Sequence, residues 1–318
     1  MKPTKQDKRG ILTFMLPGLI LFVSFFLIPV IYVLCVSFLK WNGMTPPAFV
    51  GVKNFATLFG DEVFRRSVGN NILWALMAGG VQVPLALLMA LILSRKPRGW
   101  KLFRTVYFFP QVISGIALAM LWSAIYNSEY GLLNAVLKAV GLGHLARNWL
   151  GDTKTAFPCL LIYWVFYIGY YMVIMMSEIS TVDETYYEAA EIDGASKIQQ
   201  DLHITLPMIK NSILTCVTLA TVLGLRQFEQ VYLLTNGGPF NKTSVMVLYL
   251  YKEMQNNNYG LANAASVCLI LVGVLVIEGI RLLFRDRHSE AAEQRRRERR
   301  EKRIRRAKMK KELERRLG

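Results

Sequence analysis

Six apolar runs divide the chain, and each is long enough to cross a membrane as a helix. A helix needs about 20 apolar residues to span the hydrocarbon core of a bilayer. The runs cover residues 12–39, 70–94, 106–126, 157–177, 209–230 and 262–284. Inside lipid only helices and closed barrels satisfy every backbone polar group, and runs of this length are typical of helices. The pattern therefore predicts an all-α membrane protein with a six-helix transmembrane bundle.

Basic residues between the runs predict the side of the membrane on which each loop lies. The second and third runs are joined by SRKPRGWKLFR, which has five Lys or Arg residues and no acid. Short basic loops stay in the cytoplasm, so this loop and both termini are predicted to be cytoplasmic. The first run is too long for a signal peptide and lacks a cleavage site, so we interpret it as a retained span. The predicted parts are a cytoplasmic N-terminus, a transmembrane domain and a basic cytoplasmic tail, at residues 1–11, 12–284 and 285–318.

The composition separates an apolar body from this basic tail. The 318 residues are 53% hydrophobic, yet the formal net charge is +16. Acids interspersed at helical spacing predict that the tail is a solvated helix. Contact with anionic lipid headgroups is its expected role. Nucleic-acid binding is disfavoured because no aromatic residues are interleaved to stack on bases.

The reactive residue types do not indicate an enzyme. No Ser/His/Asp set, Cys/His spacing or pair of carboxylates suggests catalysis or metal binding, and we expect no cofactor. A GxxxxGK[ST] sequence is absent, so we expect that this chain does not hydrolyse ATP itself. The cysteines lie singly in separate apolar runs, which is typical of small core residues. They are Cys35, Cys159, Cys216 and Cys268.

A polar stretch, EAAEIDGASKIQQDLHITLP, separates the fourth and fifth runs. Thr181 and Glu184 have the spacing of a capping box that starts a helix. Gly194 is a natural left-handed helix stop, and Ser196 can cap a second short helix. Pro207 is predicted to end that helix where the fifth span begins. The stretch, within a loop at about 178–208, thus predicts a helix, a tight turn and a helix near the cytoplasmic surface.

The same stretch resembles the EAA signature of binding-protein-dependent ABC importer permeases, the inner-membrane components of these systems. Further matches, including FFPQVISGIALAMLWSAIY and VYLLTNGGPFNKTS, resemble the sugar branch related to the MalF and UgpA type. Two features depart from that pattern. The long basic tail is not part of the family core, and only a short segment, residues 40–69, stands where MalF has a large outer domain. The resemblance implies that the loop is a coupling helix that inserts into an ATPase subunit. The matching residues are Glu188, Ala189, Ala190, Gly194, Ile204, Leu206 and Pro207.

The resemblance implies a function and a set of partners. We expect a permease subunit of an ATP-driven importer for a sugar or oligosaccharide in the bacterial cytoplasmic membrane. Its expected partners are a second homologous permease, two cytoplasmic ATPase subunits, an extracellular sugar-binding protein and membrane lipids, but no nucleic acid. A permease for a non-sugar solute is the first alternative. An ion-coupled secondary transporter is disfavoured, because such carriers place carboxylates on several spans, whereas here Arg226 and Glu229 form one potential pair on a helix face.

Aromatic residues in the fourth run suggest a substrate pathway. Trp164, Tyr167 and Tyr171 recur at helical spacing and would share one face, which could stack on sugar rings. An aromatic belt or core packing is the alternative reading of the same pattern. The resemblance also points to this part of the fourth span and to the fifth span before LTNGGP, and we expect a neutral, aromatic cavity. The candidates are Trp164, Tyr167, Tyr170, Tyr171, Gly224 and Gln227.

Overall fold

A computed structural model describes residues 5–284, with side-chain environments from residue 13 onward. The predicted tail and residues 1–4 lie outside this part. The chain divides into two compact units, Met1–Val274 and Leu275–Gly318. The described part is mainly helical, as the apolar runs predicted, and its two short strands form one antiparallel pair.

The helices and strands follow one another along the chain, and several long helices contain a local irregularity. In order they are α1 (Lys5–Phe22), α2 (Ile28–Val36), β1 (Leu39–Lys40), β2 (Ala48–Phe49), α3 (Lys53–Gly60), α4 (Glu62–Met77), α5 (Val83–Ser94), α6 (Trp100–Phe108), α7 (Gly115–Ile125), α8 (Leu132–Ala139), α9 (Ala156–Val165), α10 (Gly169–Ile179), α11 (Glu184–Ile192), α12 (Lys197–Gln200), α13 (Leu206–Met208), α14 (Lys210–Leu225), α15 (Glu229–Leu234), α16 (Met246–Gln255) and α17 (Tyr259–Leu283). Wider π-helical turns occupy Val23–Leu27, Ala78–Gln82 and Asp201–Thr205, and 3₁₀ turns occupy Phe109–Val112 and Gly143–Leu145.

Four helical stretches of the described part are long and apolar enough to cross a membrane. They are Thr13–Val36, Glu62–Ser94, Ala156–Ile179 and Tyr259–Leu283. Two further stretches qualify only as bent pairs. Trp100–Val112 meets Gly115–Ile125 at 103°, and Lys197–Met208 meets Lys210–Leu225 at 73°. The number of spans is therefore four, or up to six when each bent pair is counted as one span.

Each π-helical turn is followed by a proline at the second position of the next helix. A proline inside a helix has no N–H to donate, and its ring clashes with the carbonyl four residues earlier. A π turn holds one extra residue and moves that carbonyl away, so the helix continues through the proline. The prolines are Pro29, Pro84 and Pro207. The carbonyls in question belong to Phe25, Gly80 and His203, which all lie within π turns.

The main core lies where the second span packs against α9, α10 and α14. Trp74 on α4 is fully buried, and its ring meets the ring of Trp164 edge-on at a centroid distance of 5.2 Å. Close backbone approach makes this packing possible. A Cβ atom at Gly224 would lie 3.1 Å from the carbonyl oxygen of Trp74, so only a glycine fits without displacement. Gly224 therefore brings α14 against the second span.

A second core cluster joins α3, α4, α16 and α17. It consists of Leu58, Phe64, Met246, Tyr249, Ala264, Ala265 and Cys268. The cysteine prediction holds for three of the four residues, because Cys159, Cys216 and Cys268 are buried. Cys35 is exposed on α2, so its assignment to the core was wrong. The apolar helical stretch that contains Cys35, Thr13–Val36, makes little contact with the rest of the protein and is only 6% buried.

Candidate functional site

The polar stretch between α10 and α14 folds into a compact elbow, here defined as residues 184–208. Its first helix, α11, begins after Asp183, whose carboxylate accepts hydrogen bonds from the backbone N–H and the hydroxyl of Thr185, at 3.0 and 2.9 Å. These bonds hold the pKa of Asp183 below its usual value. The predicted capping box of Thr181 and Glu184 was wrong, because the Thr181 hydroxyl donates to the Glu178 carbonyl instead.

Gly194 ends α11 as the sequence predicted. Its φ of +76° lies in the left-handed region. The Ala195 amide donates to the Ala190 carbonyl at 2.8 Å, and the Gly194 amide donates to the Glu191 carbonyl at 3.0 Å. This pair of bonds is a Schellman motif, which satisfies carbonyls at a helix end. A Cβ atom at Gly194 would meet no other atom within 4 Å, so the requirement for glycine is conformational.

The second half of the elbow is capped and braced from within. Ser196 starts α12 through a capping box with Gln199, which confirms the predicted cap. The hydroxyl groups of Tyr187 and Thr205 lie 2.9 Å apart and join the two arms. An ion pair between Lys197 and Glu191 crosses the turn. This pairing keeps the pKa of the Glu191 carboxyl below its usual value.

Pro207 lies inside the helical path and does not end it. The helix continues to Met208, and the 73° bend follows at Ile209. The prediction that Pro207 ends the helix was therefore wrong, since the preceding π turn accommodates the ring. Ile209 is 1% exposed and anchors the bend in the core.

The seven signature residues lie at different places on the elbow. Ala190, Ile204 and Leu206 are half-buried, whereas Glu188, Ala189, Gly194 and Pro207 are exposed. The most exposed large apolar residues of the elbow lie outside the signature: Ile192 is 88% exposed, Ile198 70% and Leu202 54%. These three residues were not predicted as part of the site, although isolated apolar side chains in a polar stretch can indicate a protein contact. Exposed apolar patches with polar surroundings often mark protein interaction sites.

A cavity of about 400 Å³ lies between the fourth and fifth apolar stretches. It forms where both stretches are interrupted, because α9 ends at Val165 and α10 begins at Gly169, while α14 ends at Leu225 and α15 begins at Glu229. The cavity is lined by Gln82, Gln111, Trp164, Tyr167, Tyr170, Tyr171, Leu223, Arg226, Gln227, Phe228, Glu229 and Gln230.

Five of the six predicted pathway residues line this cavity, but their geometry differs from the prediction. Trp164 and Tyr171 do not share one continuous helix face, because the helix is broken between them. The four predicted aromatics converge through this break instead. Tyr170 is the most open of them at 42% exposed, whereas Trp164 and Tyr171 are 6% and 3% exposed. Gly224 does not line the cavity, since it packs against Trp74.

The cavity carries charged groups, so the expectation of a neutral cavity was wrong. Arg226 and Glu229 both line it. They do not lie on one helix face, because α14 ends before Arg226, and no ion pair joins them in the described part of the chain. Glu229 lies instead at the first turn of α7, where a Cβ atom at Gly115 would be 2.6 Å from its Oε2. A carboxylate is stabilised at such a helix N-terminus.

Gln82 closes the break in the fourth stretch and was missed by sequence analysis. Where α9 ends, the Trp164 carbonyl accepts a 3.0 Å hydrogen bond from the Tyr167 backbone amide, whereas no backbone amide of the described residues bonds to the Tyr167 carbonyl. The Gln82 amide nitrogen donates to both carbonyls, at 3.0 and 3.1 Å, and the side chain is 1% exposed. Its Oε1 is buried without a hydrogen-bond partner among the described residues. In the sequence Gln82 is an amide side chain within an apolar run, and this pattern does not identify the carbonyls to which it donates.

Comparisons with known proteins agree on one family. The family model described as the binding-protein-dependent transport system inner membrane component matches residues 82–288. The probable ABC transporter permease protein YurN of Bacillus subtilis (strain 168) is 37% identical over 265 residues, which cover 81% of this chain and 90% of that relative. The multiple sugar-binding transport system permease protein MsmF of Streptococcus mutans is 32% identical over 275 residues, which cover 85% of this chain and 93% of that relative.

The fold is also similar to a solved structure. A chain in the crystal structure of a bacterial alginate ABC transporter, in complex with an alginate pentasaccharide-bound periplasmic protein, matches with a TM-score of 0.77. The match covers 88% of this chain and 96% of that chain at 24% identity, so it concerns the fold alone.

We expect replacement of Gln82 by leucine to destabilise the protein. The change removes the donor shared by the two carbonyls at the break, and a buried unpaired polar group costs about 1–3 kcal/mol. The measurement is the free energy of unfolding in detergent micelles. Gln111→Leu is the matched control, because the Gln111 amide is exposed and donates to the Tyr167 carbonyl at 3.3 Å. Equal stability of the two variants would contradict the role assigned to Gln82.

Proposed function

Because the chain belongs to the family of binding-protein-dependent transport system inner membrane components, we propose that it is one permease subunit of an ATP-driven importer for a sugar or oligosaccharide. The family match spans residues 82–288 and confirms the resemblance inferred from the EAA signature. The chain is a multi-pass protein of the cytoplasmic membrane. The sugar assignment is supported by relatives such as the multiple sugar-binding system permease, which covers most of this chain.

We propose six spans, with each bent pair crossing the membrane once and both termini in the cytoplasm. Hydrogen bonds between loops support this arrangement. Arg95, after the second span, bonds to the elbow, so these two segments lie on one side. Asn70, about two turns after the start of the second span, donates to the carbonyls of Lys242 and Ser244, between the fifth and sixth spans. Loops expected on the same side are therefore in contact, and the basic loop sets the cytoplasmic side.

The proposed energy source is ATP hydrolysis by separate subunits that dock on the elbow. A docking segment must keep its shape while it is pushed, and the elbow is capped at both helices and braced across the turn. Its exposed apolar residues offer a contact area to a protein partner. The proposed assembly contains this chain, a second homologous permease, two cytoplasmic ATPase subunits and an extracellular binding protein.

The cavity between the two broken spans carries the proposed substrate assignment. Sugars have apolar ring faces edged by hydroxyl groups, so a binding site needs both flat aromatic surfaces and hydrogen-bonding groups. The cavity combines tyrosine rings with the amides of Gln82, Gln111, Gln227 and Gln230. Arg226 and Glu229 have opposite formal charges, and both can bond to hydroxyl groups. The residues that line the cavity therefore favour binding of a polar, uncharged solute.

We expect Tyr170→Ala and Gln227→Leu to weaken sugar import selectively. Loss of a stacking surface or of a buried hydrogen-bond partner costs about 1–3 kcal/mol, so the half-saturating sugar concentration should rise about tenfold or more. The measurement is uptake of labelled mono- to tetrasaccharides into proteoliposomes that contain the whole complex, together with basal ATP hydrolysis, which should not change. Trp164→Ala should also impair uptake, but its buried ring makes it a less specific probe.

Phe166→Ala is the control for the aromatic variant. Phe166 lies in the same break and is 59% exposed, but it does not line the cavity. Wild-type uptake by both Tyr170→Ala and Gln227→Leu at low sugar concentration would show that the cavity is not the substrate pathway. The importer assignment, which rests on the family, would survive that result.

We expect Gly194→Val to uncouple the importer while the protein still inserts into the membrane. A left-handed conformation costs about 1–2 kcal/mol for a side chain with a Cβ atom, and a β-branched residue is especially unfavourable there. Uptake and binding-protein-stimulated ATP hydrolysis should both fall. Gly194→Asn is the matched control, because asparagine tolerates this conformation. Full activity of the valine variant would argue against a coupling role for the elbow.

A further inference from the structure

One arginine joins the elbow to the second span. Arg95 is the first residue after α5. Its Nη2 donates to the carbonyl of Lys197 at 3.0 Å and forms an ion pair with the carboxylate of Asp201. Lys197 begins α12, and Asp201 directly follows the end of this helix. A single guanidinium group therefore contacts both ends of the one-turn helix.

Among the described residues, the other hydrogen bonds and ion pairs of the elbow lie within it or join it to its neighbours in sequence. The Tyr187–Thr205 contact and the Lys197–Glu191 ion pair both lie within the elbow. Among the described residues, the Arg95–Asp201 pair is the ion pair that connects the elbow to a transmembrane helix. The elbow and the cytoplasmic end of the second span are thus fixed to each other at one point.

Other basic residues of the same loop have different surroundings. Lys101 and Arg104 lie over the Trp100 ring, at 5.9 and 5.7 Å from its centroid. Arg98 is exposed and makes no hydrogen bond or ion pair with the elbow in the described part of the chain. A general topology signal would require only positive charge somewhere in this loop. The two bonds from Arg95 to the elbow therefore call for a specific explanation.

The second span leads from Arg95 to the cavity. Ala86, Ala90 and Leu93 on α5 are at most 2% exposed and belong to the same core cluster as Met172 and Met175 on α10. At the far end of this packed pair, Gln82 bonds to the broken segment that lines the cavity. Arg95 is thus attached to a helical stretch whose other contacts reach the break in the fourth span.

We infer that Arg95 and Asp201 are positioning residues that transmit displacement of the elbow to the second span. This inference rests on the proposed coupling function. The elbow already connects through its backbone to the fourth span, at Val182, and to the fifth span, at Ile209. The guanidinium adds a connection to the second span, which is not adjacent to the elbow in sequence, so that the second span moves with the elbow. Both contacts come from one nitrogen, Nη2, whose N–H bonds are fixed in the guanidinium plane. Lysine keeps the charge of Arg95, but its flexible and strongly hydrated ammonium group is not oriented in advance in this way.

The inference is tested by amide hydrogen exchange on the whole complex in lipid nanodiscs. The variants are Arg95→Gln, Asp201→Asn and Arg95→Lys, and Arg98→Gln is the matched control for loss of a basic residue. An ion pair at the surface contributes modestly, so exchange of residues 197–205 should rise about two- to fivefold in Arg95→Gln and Asp201→Asn. Arg95→Lys should fall between wild type and Arg95→Gln, and Arg98→Gln should match wild type.

A second measurement separates transmission from local stability. ATP with vanadate is added to each complex, and exchange is followed in the elbow and in residues 86–96. In wild type we expect both regions to change. In Arg95→Gln and Asp201→Asn, the change in the elbow should persist while the change in residues 86–96 falls at least twofold. An unchanged response of residues 86–96 in both variants would overturn the inference. Failure of the wild-type chain to assemble with ATPase subunits would instead overturn the proposed function.

Discussion

The structure depends on the need to satisfy every backbone carbonyl within an apolar environment. A helix meets this need by itself, but where a helix stops beside a cavity its last carbonyls lose their helical partners. Between Val165 and Gly169, Gln82 supplies a donor to the Tyr167 carbonyl and a further donor to the Trp164 carbonyl. The tyrosines that follow this break can face the cavity because a neighbouring side chain bonds to the backbone behind them.

The same requirement explains how helices continue through prolines. At Pro29, Pro84 and Pro207 the π turn before each proline keeps the helix continuous. Sharp bends lie between separate helices, at the start of α7 and at Ile209. Gly224 allows α14 to approach Trp74 closely, and the residues that follow α14 line the same cavity as the break between α9 and α10.

The features that could be predicted from the sequence are those that depend on residues close together in the chain. The Gly194 turn and the Ser196 cap depend on bonds within a few residues, and both are present. The predicted cap at Thr181 was wrong, and Asp183 caps the helix instead, because both residue types can cap a helix and the backbone conformation decides between them. Tyr167 and Tyr171 were identified from a helical periodicity, but in the structure the helix is interrupted between α9 and α10.

Features that join distant parts of the chain were not predictable in the same way. The amide of Gln82 bonds to carbonyls that lie 82 and 85 residues later in the sequence. The expectation of a neutral cavity failed for a related reason. The sequence suggested that Glu229 pairs with Arg226, whereas in the structure Glu229 lies next to the start of α7 at Gly115. Pairings of this kind depend on how spans pack, which a hydropathy pattern does not specify.

If ATPase subunits dock on the elbow as proposed, its exposed apolar residues make the abundance of this chain dependent on other gene products. A newly made copy without a partner presents Ile192, Ile198 and Leu202 to water. Exposed apolar surface of this kind favours aggregation and recognition by chaperones and proteases. Copies made in excess of their docking partner would be removed, while assembled copies are shielded. The ratio of this chain to its partner subunits would then be set by degradation of unassembled copies, and equal rates of translation would not be needed.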